Sequence, residues 1–211
     1  EIDMVEAIGP DFENIDNRLL SLTLVKERMT NAVIFTPEGK NKYPSDILHK
    51  KNILTLRGSF RPVTKVNIDM LTEGLNKFKE NKKVDENNIQ LLLEITLSNL
   101  MTDGEVDERD FLDRADILCS LGYTVMISNY KKYYKLSEYL SRYTNARMGL
   151  IIGVDNLVEM FDEKYYRNLN GGIMEAFGII VTRDIKIYLY PYQADSSKEL
   201  INSKNIPIHP R

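Results

Sequence analysis

Hydrophobic residues along the chain occur in short runs that alternate with amphipathic segments. The apolar runs predict strands at residues 53–57, 89–96, 123–128, 148–153 and 185–190. Apolar residues at helical spacing predict helices at residues 66–78, 107–121, 132–143 and 172–181. This alternation is typical of an α/β fold with a mostly parallel sheet that is covered on both faces. The strands are too few for an eight-stranded barrel, so the pattern predicts a doubly wound, mostly parallel open sheet.

The first fifty residues follow a different pattern. It predicts an amphipathic helix at residues 14–28, a short strand at residues 32–36 and one or two helical turns at residues 44–50. We interpret residues 1–50 as an extension that packs onto the main sheet, and residues 51–211 as the α/β domain. Because the sequence stops at Arg211 in the middle of a segment, we expect this domain to be truncated at its C-terminus.

The predicted fold indicates where a ligand would bind, because ligands of open α/β sheets bind beyond the carboxyl ends of the strands. Five segments are expected at this edge of the sheet: residues 57–61, 94–99, 128–130, 153–156 and 190–193.

Residues 58–67, GSFRPVTKVN, follow the first strand of the alternating region and precede a predicted helix. A strand, tight turn and helix in this order can direct backbone N–H groups and the positive end of a helix dipole at a phosphate. The segment also offers hydroxyl, cationic and amide side chains as donors. In the alternative interpretation, Arg61 and Lys65 are solvated and Thr64 only caps the helix.

Two later segments have similar chemistry. In residues 151–157, IIGVDNL, Asp155 is a candidate acceptor for a ligand hydroxyl or amide, and helix capping by Asp155 or Asn156 is the alternative. Residues 195–200, DSSKEL, follow the last predicted strand and are expected to begin a helix whose N-terminus could bind an anion. Capping of this helix alone also explains the serines.

These three segments resemble, in the same order, motifs of the nucleotidyltransferase superfamily, and in particular those of bacterial nicotinate-nucleotide adenylyltransferases. Residues 58–67 resemble the signature G-x-F-D-P-x-H-x-G-H, residues 151–157 are similar to I-I-G-x-D-x-L, and residues 196–200 resemble S-S-T-x-I-R. The resemblance covers roughly residues 53–205.

The resemblance implies a Rossmann-like nucleotidyltransferase architecture and adenylyl transfer, a reaction of NAD biosynthesis. ATP and nicotinate mononucleotide, a small phosphorylated substrate, would be the ligands, Mg²⁺ would assist, and pyrophosphate would leave. It places Thr64 and Asn67 at the two catalytic histidine positions. It assigns phosphate or nucleotide binding to Gly58, Ser59, Phe60, Arg61, Ser196, Ser197 and Lys198, and substrate binding to Gly153, Asp155 and Asn156, with no protein residue assigned to a metal.

The signature also contains departures that support a second hypothesis. Arg61 stands where the family has Asp, Val66 stands where it has Gly, and Asn67 cannot carry positive charge as a histidine can. The only histidines are His49 and His209, so no other H-x-G-H pair exists. The alternative is therefore a catalytically inactive ligand-sensing or protein-interaction module on the same fold.

A third hypothesis treats the resemblance as chance. In that case Glu94 and Asp155, at the ends of two predicted strands, are candidate paired carboxylates for acid–base chemistry or for a Mg²⁺ site. Residues 103–108, DGEVDE, suggest a metal-binding hinge but lack EF-hand spacing, so an acidic, capped helix start is favoured. For the tyrosines at 130, 133, 134, 139 and 143, packing with solvated hydroxyls is favoured over stacking on a base.

Composition limits the partners and the compartment. With 28 basic and 31 acidic residues, the net charge of −3 gives no overall attraction to nucleic acid or to an anionic membrane. No apolar run approaches the roughly 18 residues of a membrane span. The single cysteine, Cys119, excludes an internal disulfide and is expected to be a buried, inert thiol. These features predict a soluble cytoplasmic protein without nucleic-acid or membrane partners.

Overall fold

A computed structural model describes residues 2–102, 104–193 and 199–206. The strands are β1 (Ala32–Phe35), β2 (Asn41–Lys42), β3 (Asn52–Arg57), β4 (Ile89–Thr96), β5 (Met101–Thr102), β6 (Glu105–Val106), β7 (Thr124–Ser128), β8 (Met148–Gly153), β9 (Ile185–Tyr190), β10 (Tyr192–Gln193) and β11 (Leu200–Ile201). The α-helices are α1 (Asn17–Lys26), α2 (Pro44–Leu48), α3 (Lys65–Lys79), α4 (Leu97–Leu100), α5 (Glu108–Ser120), α6 (Tyr133–Leu140), α7 (Val154–Met160) and α8 (Gly172–Thr182). Short 3₁₀ turns lie at Pro10–Phe12, Glu86–Asn88 and Glu163–Tyr166.

The central sheet has seven strands in the order β2-β1-β7-β4-β3-β8-β9. Strands β7, β4, β3, β8 and β9 run parallel to one another, whereas β1 is antiparallel to both β7 and β2. In the middle of the sheet, Leu56 of β3 lies opposite Leu93 of β4 on one side and Ile151 of β8 on the other. The segment 58–67 and the segment that follows β8 therefore leave the same edge from neighbouring strands.

Helices cover both faces of the sheet. Because successive strand residues point to opposite faces, Ile53 and Leu54 of β3 belong to two different buried clusters. Leu54 packs in a cluster that includes Phe78 of α3 and Phe111 of α5, and Ile53 packs in one that includes Tyr134 of α6 and Ile180 of α8. The predicted α/β class with a mostly parallel sheet is confirmed.

The predicted strands and helices of the alternating region are all present. The largest difference is at α6, which was expected to continue to residue 143 but ends at Leu140. In the first fifty residues, β1 is hydrogen-bonded to β7, so it forms part of the main sheet. The sequence did not predict α4, α7 or the two-residue strands, because elements of this length contain too little periodicity.

Two smaller expectations are also confirmed. Asp107 caps α5 by accepting hydrogen bonds from the N–H groups of Arg109 and Asp110, as expected of an acidic helix start; Asp103 lies outside the described residues. Cys119 is 6% exposed, and burial raises the pKa of its thiol, as expected for an inert cysteine. None of the helices in the described part of the chain combines the length and the hydropathy that a membrane crossing requires.

Candidate functional site

A cavity of about 490 Å³ opens at the carboxyl edge of the parallel strands. Its walls come from the ends of β3 and β4, the start of α6, and α7 with the 3₁₀ turn that follows it. The lining residues are Arg57, Gly58, Ser59, Thr96, Ser98, Asn99, Lys131, Lys132, Tyr133, Asn156, Glu159, Met160, Tyr165 and Tyr166. Segments far apart in the sequence therefore meet at one site, in the position where open parallel sheets bind ligands.

An ion pair between Arg57 and Glu94 joins the ends of β3 and β4 at this cavity. Nε of Arg57 lies 2.8 Å from Oε2 of Glu94, and Nη2 lies 2.9 Å from Oε1. The Ser128 hydroxyl at the end of β7 also donates to the Glu94 carboxylate, which is fully buried. Burial alone would lower the pKa of Arg57, but the charge of Glu94 and its hydrogen bonds outweigh burial and raise that pKa. Arg57 therefore stays protonated, and the carboxylate of Glu94 balances its charge.

Arg57 also fixes the loop that leads into α6. Its Nη2 donates to the carbonyl of Tyr130 at 2.7 Å, and its Nη1 donates to the carbonyl of Lys131 at 3.1 Å. The guanidinium carbon lies 4.4 Å from the centre of the Tyr133 ring, in a cation–π arrangement. One side chain on β3 thus positions Lys131 and Tyr133 on the cavity wall.

Tyr133 carries an unusual hydroxyl group. The residue is 8% exposed, and its hydroxyl has no hydrogen-bond partner within the described ranges. Burial raises the pKa of this phenol to about 12, with nearby Glu94 and Glu159 adding to the effect and Arg57 opposing it. The expectation of solvated tyrosine hydroxyls is therefore wrong for Tyr133, whose ring packs onto Arg57. It is also wrong for Tyr134 and Tyr139, which are 1% and 3% exposed.

The start of α6 contributes lysines to the wall. Lys132 is the N-cap residue of α6, and no side chain among the described residues makes a capping hydrogen bond there. Its ammonium group donates to the carbonyl of Tyr165 and to the side-chain oxygen of Asn168. It also lies 5.9 Å from the centre of the Tyr166 ring. These contacts tie the start of α6 to the 3₁₀ turn across the cavity.

The opposite wall supplies aromatic rings, an amide and a carboxylate. The Tyr166 hydroxyl donates to the carbonyl of Met160 at 2.7 Å, and burial raises the pKa of this phenol to about 12. Tyr165 is half-buried, and Glu159 is exposed at the rim. Asn156, from the predicted substrate-binding segment, also reaches this wall.

The turn after β3 is held in place by Arg114 of α5 and by the buried ring of Phe60. Arg114, 3% exposed, donates through Nη1 to the carbonyl of Ser59 at 2.9 Å and to that of Asn99 at 2.8 Å. Phe60 has a positive φ of 47° and is buried, and its ring lies so close to Gly58 that a Cβ there would approach it to 2.9 Å. Gly58 and Ser59 therefore line the cavity, while the predicted phosphate ligand Phe60 points into the core.

The predicted catalytic pair makes a capping box at the start of α3. The Asn67 side-chain oxygen accepts from the N–H of Thr64 at 2.9 Å, and the Thr64 hydroxyl accepts from the N–H of Asn67 at 3.3 Å. Neither residue lines the cavity; Thr64 borders a separate open depression with Val63 and Ile68. The capping role that the sequence suggested for Thr64 is present, and its partner is Asn67.

The other predicted residues are spread out. Arg61 is exposed and forms an ion pair with Asp110 at 3.3 Å, so it is not simply solvated. Gly153 is the N-cap residue of α7, and no side chain that the structure describes caps this helix, so the suggested capping by Asp155 or Asn156 is wrong. Asp155 is exposed and lies outside the cavity lining. Ser196, Ser197 and Lys198 lie outside the described residues.

The hypothesis of a carboxylate pair is not supported by the geometry. Both oxygens of Glu94 accept hydrogen bonds from Arg57, whereas Asp155 is exposed on α7. The described residues contain no group of three or more His, Cys, Asp or Glu side chains that could hold a metal ion. Because cations outnumber carboxylates on the cavity wall, these residues do not fit a protein-held Mg²⁺ site.

Comparison with family models and with curated proteins adds no relative from which a function could be transferred. No family model matches the chain, and no curated protein is significantly similar to it. The geometry of the described residues is therefore the basis for assigning a function.

A second depression, of about 780 Å³, lies at the opposite edge of the sheet, next to α1 and the loop between β1 and β2. At its centre, Arg18 pairs with Asp16 at 2.7 Å and with Asp116. The hydrogen bond to Asp16 raises the pKa of Arg18 and lowers that of the carboxyl group. These groups satisfy one another, so the depression has less to offer a ligand than the carboxyl-edge cavity.

The sequence located part of this site. The strand-end rule selected Arg57, Gly58, Ser59, Thr96, Ser98, Asn99 and Asn156. It missed Lys131, Lys132, Tyr133, Glu159, Met160, Tyr165 and Tyr166, which lie in the loop before α6, at the start of α6, in α7 and in the 3₁₀ turn that follows α7. Two adjacent lysines between a predicted strand end and a predicted helix start were the signal for Lys131 and Lys132. No comparable signal marked the 3₁₀ turn.

Proposed function

We propose that the chain binds a nucleotide, or a similar ligand that combines a phosphate with an aromatic ring, in the carboxyl-edge cavity. The observation that carries this proposal is the cavity itself, which joins cationic, amide, hydroxyl and aromatic side chains at the ends of β3 and β4. Its volume of about 490 Å³ lies within the roughly 300–1,000 Å³ of small-molecule sites.

Charge supports an anionic ligand. Arg57 is neutralised by Glu94, so the unbalanced charges on the wall are those of Lys131, Lys132 and Glu159. The cavity therefore has an excess of positive charge in a protein whose net charge is −3. Local concentration of one sign in a cleft attracts ligands of the opposite sign.

The remaining wall favours an aromatic group on the same ligand. The half-buried Tyr165 offers a ring face, and Met160 offers a polarisable thioether. Asn156 and Glu159 can form hydrogen bonds with the edge of a base. A nucleotide carries both the anion and the ring that such a site would recognise.

The topology of the sheet agrees with this location. In the sheet, β4 and then β7 lie on one side of β3, whereas β8 and then β9 lie on its other side. The lateral order of the parallel strands therefore reverses between β3 and β8. Helices α3 and α5 pack on one face, while α6 and α8 pack on the opposite face. This arrangement is that expected of a doubly wound, Rossmann-like sheet, in which ligands bind where the strand order reverses. Arg57 and Gly58 lie beside that point.

Titration calorimetry tests the proposal directly. ATP, AMP and nicotinate mononucleotide are titrated into the wild-type chain and into Lys131→Glu, which reverses one exposed charge on the wall. We expect saturable heat for at least one of the three ligands and weaker binding to Lys131→Glu. Lys82→Glu, the same charge change on an exposed lysine outside the lining, is the control and should bind as the wild type does. The absence of heat with all three ligands would overturn the proposal.

Adenylyl transfer from ATP to nicotinate mononucleotide is the second candidate. It is favoured by the adjacency of β3 and β8, which brings Gly58, Ser59 and Asn156 from two family-like segments onto one cavity. Thr64 and Asn67 would have to leave their mutual hydrogen bonds to contact a substrate. Any Mg²⁺ would arrive with the triphosphate.

Pyrophosphate release separates this enzyme from its rival, a ligand-sensing module. In a weakened transferase, Asn67→His restores a group able to carry positive charge and should raise pyrophosphate release from ATP and nicotinate mononucleotide. In a module that only binds, release remains at background for both forms. A cytoplasmic location is part of either hypothesis and rests on the single buried Cys119.

A further inference from the structure

The amino end of α6 presents backbone donors at the cavity. The first N–H groups of a helix have no carbonyl partner within it. In α6 the carbonyl of Lys132 accepts the N–H groups of Lys135 and Leu136, so the N–H groups of Tyr133 and Tyr134 precede this first helical bond. No side chain in the described part of the protein caps the helix at Lys132. Lys131, Lys132 and Tyr133 all line the cavity.

The Tyr133 hydroxyl is a second, independent indication of a ligand. It is a buried donor with no partner among the residues that the structure describes, on a side chain that lines the cavity. Buried polar groups in folded proteins nearly always have a partner, so an orphan hydroxyl beside a cavity suggests that the partner belongs to a ligand. Its ring is fixed by Arg57 at 4.4 Å, so the hydroxyl is held in one place.

We infer that the amino end of α6 is the phosphate subsite of the cavity and that the Tyr133 hydroxyl contacts the sugar. The N–H groups of Tyr133 and Tyr134, with the ammonium group of Lys131, bind a phosphate monoester. The Tyr133 hydroxyl donates to an oxygen of the sugar that carries this phosphate. The recognised class is therefore a sugar phosphate, such as the ribose 5-phosphate part of a nucleotide.

This inference rests on the proposed function and changes where the phosphate lies. The resemblance implied phosphate binding by residues 58–67, but there Thr64 and Asn67 satisfy each other in the capping box of α3. The helix dipole of α6 and the charge of Lys132 favour an anion at the uncapped helix start. Lys132 itself is held by Tyr165 and Asn168 and acts as a fixed positive charge.

A pair of substitutions at Lys132 tests the helix start. Lys132→Ala and Lys132→Asp both remove the ammonium group, but only the aspartate places a carboxylate where it can accept the free N–H groups of α6. We expect AMP to bind Lys132→Asp about tenfold more weakly than Lys132→Ala, because the carboxylate competes with the phosphate for charge-assisted hydrogen bonds. Lys135→Asp makes the same charge change at an exposed lysine outside the cavity lining and should bind as the wild type does.

A second pair of variants tests the hydroxyl. Tyr133→Phe removes only the oxygen, and we expect about fivefold weaker binding of AMP. Tyr139→Phe is the control, since it makes the same change in the same helix at a buried tyrosine outside the cavity lining. Thermal unfolding of every variant shows whether it is folded, and Lys132→Asp should be at least as stable as Lys132→Ala because aspartate is a good N-cap.

The outcomes separate the two proposals. If AMP binds the wild type and the expected differences appear, the subsite is supported. If AMP binds the wild type but folded Lys132→Asp matches Lys132→Ala and Tyr133→Phe matches the wild type, the subsite is overturned and the nucleotide site stands. If none of ATP, AMP and nicotinate mononucleotide binds the wild type, the proposed function itself fails.

Discussion

Arg57 and Glu94 form a two-pronged ion pair across neighbouring parallel strands, with N–O distances of 2.8 and 2.9 Å. They lie directly opposite each other in the register of β3 and β4. The pair receives a hydrogen bond from Ser128 of β7, and Arg57 donates to two carbonyls of the loop before α6. It therefore holds three strands and one cavity wall in a fixed arrangement.

Breaking this pair should destabilise the fold strongly. Arg57→Met leaves the fully buried Glu94 without its counter-ion, and we expect the free energy of unfolding to fall by about 3–5 kcal/mol. Chemical denaturation followed by circular dichroism measures the change. The double variant Arg57→Met with Glu94→Leu should lose less than Arg57→Met alone, because no unpaired charge remains.

The exposed pair of Arg61 with Asp110 provides the contrast. Arg61→Met removes a cation whose side chain is 55% exposed, so the expected loss is less than about 1 kcal/mol. Equal losses for Arg57→Met and Arg61→Met would show that the Arg57 pair is not the anchor described above.

Two glycines in helices should respond in opposite ways to alanine. A Cβ on Gly74 of α3 would lie 2.4 Å from Cδ1 of Ile151, so Gly74→Ala forces α3 away from β8 and should cost about 1–3 kcal/mol of unfolding free energy. A Cβ on Gly178 of α8 meets no atom of the described residues within 4 Å, and Gly178→Ala should stabilise by about 0.5–1 kcal/mol through helix propensity. Thermal or denaturant unfolding of both variants checks the signs. A stabilising Gly74→Ala would contradict the close packing of α3 on β8.

The capping box predicts a loss of stability without a loss of binding. Thr64→Ala and Asn67→Ala each remove one of the reciprocal hydrogen bonds at the start of α3, and each should cost about 1 kcal/mol. AMP affinity should be unchanged, because neither residue lines the cavity. Calorimetry at a temperature where both variants are folded checks this. A tenfold loss of AMP affinity in either variant would contradict this prediction and would indicate that residues 58–67 bind the phosphate.

The Tyr133 hydroxyl should affect stability mainly at high pH. Because its pKa is raised from 10.0 to about 12, the folded protein keeps a proton that the unfolded chain has lost between these values. Its contribution is fully present below pH 10, and roughly 2–3 kcal/mol is lost as pH rises to 12. Tyr133→Phe should therefore lose less stability than the wild type over this range. Near pH 7, removal of an unpartnered hydroxyl should be close to neutral. If the free energies of unfolding of the two proteins fell equally between pH 10 and pH 12, the burial of the hydroxyl would be refuted.

The sheet could be predicted from the sequence because β3, β7, β8 and the second half of β4 are mostly apolar and buried. The edge strand β9 has only Ile185 buried, and its place in the alternation of strands and helices indicated it. Strand β1 was expected, but its antiparallel pairing with β7 was not. Alternation with helices predicts parallel strands only where a crossover helix connects them, and β1 precedes that part of the chain. Contacts between β1 and β7 bridge about ninety residues and leave no local pattern.

Only one side of the site could be predicted. Gly58 and Ser59 follow a strand, and the strand-end rule locates such residues. Asn67 follows Thr64 by three positions, which is the spacing of a capping box. The two histidine positions of the signature that residues 58–67 resemble have the same spacing, so the sequence alone could not separate these uses. The Tyr133 hydroxyl was missed because its burial depends on Arg57, whose position relative to α6 is fixed only by the folded sheet.

Amide chemical shifts, measured while the ¹⁵N-labelled chain is titrated with AMP, test most directly whether the carboxyl-edge cavity is a ligand site. We expect the amide signals of Ser59, Ser98 and Tyr133 to shift and to saturate together, since these residues come from three walls of one cavity. Signals from the depression around Arg18 and Asp116 should not move. Shifts centred on Arg18, or no saturable shift at Ser59, Ser98 and Tyr133, would contradict the account.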